Sequence, residues 1–327
     1  MSKLSLAAHI RSELPRIDAA LDANVARMPI PTRAIALHIL HAGGKRLRPL
    51  LTVLVARLLG YTHDDIYPLA ATMEMMHAAT LLHDDVIDNA DYRRGKTAAH
   101  HLFGNIQAIL GGDALLARAS RVVASYNDLR LATCFSVALE ETAFGQILEL
   151  DRQSGRSQDL DTYFEVIRGK TAWMIRTACE LGALQAGADE GTVSLAAEYG
   201  LQMGMAFQIV DDALDFAPSA QTGKPEGGDL REGKLTPPLH LYLAEQSEAE
   251  RRDFLSRFAA EALTDDDITR LVRAVQQGGY AAAARAMADS YLDAARAALA
   301  AITPAPGGLR EKELLESVIG YVRDRSL

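Results

Sequence analysis

The chain has 327 residues, 49% hydrophobic and 24% charged, with a net charge of −9. This size and apolar content exclude a disordered chain and allow a large buried core; the acidic balance, without any basic run, excludes a nucleic-acid surface. Cys134 and Cys179 lie far apart and outside any CxxC or zinc spacing, so both read as small buried side chains.

In chain order, MSKLSLAAHIRSELPRIDAAL is interrupted by His9, Arg11 and Glu13 and reads as an amphipathic helix rather than a secretory leader. Residues 33–59, 64–91, 105–126, 130–151, 160–187 and 191–216 have helical periodicity and are rich in Ala, Leu, Met and Gln. Residues 217–238, APSAQTGKPEGGDLREGKLTPP, lose the apolar period and are predicted to form a long surface loop. Helices resume over 239–301, TPAPGG interrupts them, and LREKELLESVIGYVRDRS closes the chain as an amphipathic helix. No apolar stretch reaches the roughly 20 residues that span a bilayer, and no Pro/Ser linker or repeat divides the sequence. The expectation is an all-α, single-domain helical bundle over residues 1–327, without a transmembrane segment and cytoplasmic.

Two acidic stretches break otherwise apolar helices. LLHDDVID carries Asp84, Asp85 and Asp88, and FQIVDDALDF carries Asp211, Asp212 and Asp215 at the same i, i+1, i+4 spacing. Carboxylates four residues apart share a helix face and repel. Facing one another, the two stretches would be untenable without hard cations, and an all-oxygen set suits Mg²⁺, which binds one or two carboxylates together with substrate phosphates. A solvated acidic turn explains either stretch alone, but not the repetition of DDxxD within apolar sequence.

Cations for such phosphates are present. GGKRLRP sets Lys45, Arg46 and Arg48 beside Gly43 and Gly44, where backbone N–H groups and cations can hold an anion. An ordinary turn accounts for that stretch equally well. His77 precedes Asp84 by two helical turns and shares its face about 10 Å away. Gln208 lies on the Asp211 side of its helix, and Gly204 is expected to keep that side open. Gly169, before Lys170 and Thr171, hints at a kink within a helix.

Together GGKRLRP, LLHDDVID with DYRRG, GKTAWM, FQIVDDALDF and GDLREGKLTPP resemble the trans-isoprenyl diphosphate synthases over about residues 33–246. The resemblance implies an isoprenoid synthase fold around a central cavity, a homodimer, and condensation of isopentenyl diphosphate onto an allylic diphosphate. It implies that Asp84, Asp88 and Asp211 bind Mg²⁺, three ions with substrate in place, supported by Asp85 and Asp215. Arg93, Lys170, Thr171, Gln208 and Lys224 would hold the allylic diphosphate, and Lys45, Arg48, His77 and Arg94 isopentenyl diphosphate, with Lys234 closing over the metals. Transient membrane contact at product release is a further expectation. Thr80 and Ala79, four and five residues before the first aspartate, are small where short-chain members carry a bulky aromatic, so the likeness is to long-chain, octaprenyl-type enzymes. A helical wheel puts Thr80 and Met76 nearer the Asp84 side than Ala79. The alternatives are a short-chain synthase or a non-catalytic subunit of a heteromeric synthase, although both acidic motifs are complete. A terpene cyclase would need a second metal motif of Asn/Asp, Ser/Thr and Glu, which is absent, and an HD-type phosphohydrolase would need metal-spaced histidines beyond His83, His100 and His101.

Overall fold

A computed structural model of the chain describes the backbone of residues 3–153, 159–217 and 226–324. Ten helices carry the chain to the second acidic stretch: α1 (Lys3–Val25), α2 (Ile30–Leu40), α3 (Leu47–Leu58), α4 (Ile66–Ile87), α5 (Ala99–Phe103), α6 (Asn105–Ala124), α7 (Leu129–Gln153), α8 (Leu160–Ile167), α9 (Trp173–Gln185) and α10 (Glu190–Leu214). Between α4 and α5 the only sheet among the described residues is a hairpin of β1 (Tyr92–Arg93) and β2 (Lys96–Thr97). The all-α expectation is met.

These residues form two compact units. One comprises Met1–Leu139, Met174–Gly200 and Ala298–Ser317; the other comprises Glu140–Trp173, Leu201–Ala297 and Val318–Leu327. In the first, α4 packs on α1, α3 and α6. It is apolar nearly all round, with Met73, Met75 and Met76 fully buried, as befits a helix surrounded by others. Met75 and Met76 are therefore core residues.

The continuous helix expected over 33–59 is broken. Gly43 and Gly44 have φ of +91° and +144°, and Arg46, at φ +49°, is held in the left-handed region by buried bonds to Glu74 (2.8 Å) and the Leu40 carbonyl (2.5 Å). A helix cannot continue through three such residues. The kink expected at Gly169 is a π turn over Arg168–Ala172, between α8 and α9. It is clasped on two sides in the second unit: a Cβ on Gly145 would lie 2.5 Å from the Lys170 nitrogen, and one on Gly204 would lie 2.4 Å from the Ala172 Cα. Gly204 therefore permits backbone contact rather than keeping a face open.

The long loop expected over 217–238 is also corrected. Helices Gly228–Arg231 and Pro237–Ala244 form within and at the end of it. Leu230 and Leu235 are buried with Phe216, Leu239, Phe254 and Val272, and this apolar cluster folds back a stretch whose Gly, Pro and Lys content reads as surface. Among the described residues no helix is long and apolar enough to cross a membrane.

Candidate active site

In the first unit, α4 leaves a stripe accessible on the side of Asp84. His77, Thr80, Leu81 and Asp84 are half-buried, while Met76, Ala78, Ala79 and Leu82 are buried. The i, i+3, i+4, i+7 spacing puts all four on one helical face. Thr80 donates to the His77 carbonyl at 2.8 Å. Ala79 is 0% exposed and belongs to the packing beneath, but so does Met76, which the wheel puts nearer the Asp84 side. Asp88 is the exposed C-cap of α4, its N–H bonded to the Asp84 carbonyl at 2.7 Å.

The hairpin brings two arginines to this unit's site. Arg93 pairs across the strands with Lys96, so Arg94 and Gly95 are the two turn residues, both at positive φ (+51° and +75°), the signature of a type I′ turn. Arg93 donates through Nε to Asp85 Oδ1 at 2.7 Å. Asp85 is fully buried, and its other oxygen has no hydrogen-bond partner among the described residues. Arg94 reaches back to the Gly43 carbonyl, and a Cβ on Gly44 would come within 2.8 Å of its guanidinium. Gly44 thus makes room for Arg94, and Gly43 supplies the carbonyl it bonds. Of the three basic residues in that stretch, Arg46 is internal, bonded to Glu74 and Asp18, Arg48 is half-buried and Lys45 is exposed. Burial, and then the guanidiniums of Arg48, Arg94, Arg93 and Arg46, hold the His77 pKa well below the usual histidine range. Burial and Arg94 also lower the pKa of Arg48, against the pull of Glu74. A neutral imidazole among cations is the field in which an anion is most favoured.

The second unit contains a cavity of about 120 Å³ lined by Lys170, Thr171, Gln208, Asp212 and Lys234 and also by Glu149, Tyr163 and Asp229. Lys170 pairs with Glu149; Thr171 Oγ1 donates to Gln208 Oε1 at 2.8 Å, and Gln208 Nε2 donates to Asp212 Oδ1 at 2.7 Å. Tyr163 donates to the other Asp212 oxygen at 2.6 Å. Burial pushes the Asp212 pKa up to about 7, against those two donors. Burial, then Asp212 and Asp215, raise that of Asp229. Lys234 is desolvated too, yet Glu149, Glu232 and Asp229 keep its pKa above the ordinary lysine value. Asp211 is half-buried on the accessible side of α10. Asp215 accepts from the backbone N–H groups of Gly228 and Asp229, both at 3.1 Å, so it anchors the start of helix Gly228–Arg231. Lys224 lies outside the described residues.

Among the described residues no group of three His, Cys, Asp or Glu side chains stands ready to hold a metal by itself. Mg²⁺ does not need one, since it retains waters and takes phosphate oxygens beside one or two carboxylates. The donors fit it: the aspartates of both stretches offer carboxylate oxygens, and among the described residues one buried oxygen of Asp85 has no hydrogen-bond partner. Glu149, Arg152, Tyr163 and Asp229 escape sequence reasoning. Of these only Asp229 lies in a motif-like stretch, GDLREGK, and the others sit in apolar helices without a flag.

Residues 31–275 match the polyprenyl synthetase family. The chain is 34% identical to octaprenyl diphosphate synthase of Escherichia coli (strain K12), over 89% of this chain and 90% of that one. It is 34% identical to heptaprenyl diphosphate synthase component 2 of Geobacillus stearothermophilus, over 88% of each. The crystal structure of polyprenyl synthase from Caulobacter crescentus CB15, complexed with calcium and isoprenyl diphosphate, matches at a TM-score of 0.90 and 36% identity, over 100% of this chain and 98% of that one. Further relatives range from geranylgeranyl to all-trans-nonaprenyl diphosphate synthases, so product length varies within the group. With the family matched over most of its length and its helical fold shared, the chain belongs to the polyprenyl synthetases and is a chain-elongating prenyltransferase.

Proposed function

We propose that the chain condenses isopentenyl diphosphate onto an allylic diphosphate, with Mg²⁺, to give a long-chain trans-polyprenyl diphosphate of the octaprenyl class. The observation that carries this reading is the accessible stripe of α4, where the anion-attracting His77, the small Thr80 and the acidic Asp84 follow one another on one face. Asp84, Asp88 and Asp211 would hold the metal, three ions with substrate bound. When bound there, Mg²⁺ would supply positive charge to offset that of the diphosphate leaving group.

The chain's own residues do the rest. Arg93, Lys170, Thr171, Gln208 and Lys224 hold the allylic diphosphate and stabilise the charge that develops as its C–O bond breaks. Lys45, Arg48, His77 and Arg94 hold isopentenyl diphosphate so that its double bond meets C1 of the allylic cation. The proton then lost passes to the departed diphosphate. Lys234 closes the site, and the apolar side chains beside the aspartates exclude water from the cation. The chain works as one synthase domain over residues 1–327, in the cytoplasm, with transient membrane contact at product release. A homodimer is supported by apolar side chains that α6 leaves in solvent, including Ile106 (71% exposed) and Leu110 (57%).

The test is to incubate the purified protein with farnesyl diphosphate, isopentenyl diphosphate and Mg²⁺ and to size the products. Chains longer than 20 carbons are expected, and they disappear on chelation. Products that stop at 15 or 20 carbons would overturn the long-chain reading and leave the short-chain alternative. No condensation without an added partner would favour the heteromeric one.

A further inference from the structure

Within the first unit, the C-terminal ends of α1, α6 and α9 and the N-terminal end of α4 border a groove of about 1060 Å³. It lies at the opposite end of α4 from the aspartates, since Asp65 and Asp84 are about 28 Å apart along the helix at 1.5 Å per residue. Arg27, Arg118 and Arg121 line it. Arg118 faces two further cations, Arg27 and Arg121, and the groove wall also carries Asp65 and Asp128.

Arg118 is nevertheless fixed in place. Its Nε and Nη2 both donate to Asn24 Oδ1, at 3.2 and 2.9 Å, and Asn24 is itself buried with its amide bonded to the Ala20 carbonyl. An amide orients the guanidinium without cancelling its charge. The acids on the groove wall are engaged elsewhere: Asp128 takes Arg130 in a bidentate pair, and Asp65 accepts from the Tyr61 hydroxyl at 2.6 Å. Arginines at helix C-termini are commonly no more than partners of the helix dipole. Here the four lining arginines, Arg130 included, exceed Asp65 and Asp128 by two charges, and three helix C-termini at roughly −0.5 each are partly offset by the N-terminal ends of α4 and α7 at roughly +0.5 each, which leaves an excess of about +1.5 in a concave surface.

We propose that this groove binds a multiply charged phosphate group at a site separate from either acidic stretch. Planar guanidinium forks, one of them held in orientation beforehand, suit phosphate oxygens. Two sources carry that chemistry. One is free diphosphate, which each condensation would release if the proposed function holds; the other is a lipid phosphate headgroup, which would set this end of α4 against a bilayer.

The test compares the wild type with Arg27→Gln/Arg118→Gln/Arg121→Gln and with the corresponding triple Lys variant. Inorganic diphosphate is titrated calorimetrically without Mg²⁺ or substrate. Co-sedimentation is measured with phosphatidylcholine vesicles, with and without phosphatidylglycerol. If the ligand is free diphosphate, the wild type binds one more equivalent than the Gln variant. If it is a headgroup, the wild type sediments with the anionic vesicles at low salt and the Gln variant at least tenfold less; a chain of net charge −9 is otherwise repelled by them. In either case the Lys variant retains part of the binding. Arg121→Gln alone, at an exposed position, should move the same readout in the same direction and guards against misfolding of the triple variant. A Gln variant that equals the wild type with both probes overturns the proposal. Neither readout depends on turnover, so failure of the synthase reading would leave this result interpretable.

Discussion

The two acidic stretches have the same spacing but different surroundings. In HDDVID the middle aspartate, Asp85, is buried against a cation, Arg93; in VDDALD the middle aspartate, Asp212, is buried against two neutral donors, Tyr163 and Gln208. The last aspartates diverge as well. Asp88 is an exposed helix cap, whereas Asp215 gives both oxygens to backbone N–H groups of the next helix. Equal spacing therefore does not mean equal roles: Asp85, Asp212 and Asp215 are partly committed to the fold, each through different partners.

The sharpest way to break this comparison is at the first positions. Asp84→Ala and Asp211→Ala should each lower kcat/KM by roughly 10³-fold, the scale of losing a group that stabilises developing charge. Asp215→Ala should cost nearer 10- to 100-fold, the range for groups that orient others, because its effect passes through the segment beginning at Gly228. Steady-state rates with a fixed allylic substrate decide it. Equal losses at all three would mean that Asp215 acts directly.

Next come the middle positions, where the readout is stability. Asp85→Asn leaves the Arg93 guanidinium facing an amide in a largely buried place and should cost about 3 kcal/mol. Asp212→Asn keeps an acceptor for Gln208 and offers an amide N–H to the Tyr163 oxygen, so it should cost below about 1 kcal/mol. Thermal melting of both variants measures the difference. A reversed order would show that the Arg93 pair contributes little.

A third contrast concerns two histidines kept neutral by burial and then by arginines, His77 in the first unit and His240 in the second. His240 accepts from Arg152 through Nε2 at 2.8 Å, and burial, then Arg152 and Arg251, push its pKa down to about 4, with Asp159 opposing. The unfolded chain takes up this proton first, near the ordinary value of 6.5. Stability should thus be intact above pH 6.5 and decline as pH falls toward 4, by at most about 3 kcal/mol for the full shift. His240→Gln should flatten the melting temperature over that window. An unchanged profile would place the proton-linked loss elsewhere.

Much of the first unit's site was legible because it follows one helix. Three- and four-residue spacing alone puts His77, Thr80 and Asp84 on a single face, although the same wheel puts the fully buried Met76 there too. Gly169 signalled the π turn for a local reason, namely that a glycine within a good helix former marks a close approach. What could not be read depends on chain segments that meet only after folding. Asp215 turns to the backbone thirteen residues onward, Glu149 meets Lys170 from another helix, and Tyr163 reaches Asp212 from the far side of the π turn. Within KRLR, nothing local distinguishes Arg46 from its neighbours; its left-handed φ and its bond to Glu74 make it internal. Leu230 and Leu235 were hidden by composition, since two leucines among glycines, prolines and charges carry no period.

The smallest expected effect separates how helices are held in the two units. The N-caps of α2, α3 and α4 are Pro29, Arg46 and Asp65, and none makes a side-chain capping bond. Helices Glu248–Ala259 and Asp265–Gln277 each begin with a full capping box, Ser247 with Glu250 and Thr264 with Asp267. The reason lies in burial: α4 is enclosed by other helices, so packing sets its ends, whereas Asp265–Gln277 buries only a narrow face, Ile268, Val272 and Val275, and depends more on its own first turn. Thr264→Ala removes the acceptor for the Asp267 N–H and should cost about 1 kcal/mol, while Asp65→Ala at the start of α4 should cost under about 0.5 kcal/mol. Denaturant midpoints of the two variants provide the check, and a larger loss at Asp65 would mean that its contact with Tyr61 matters more to the first unit than packing around α4.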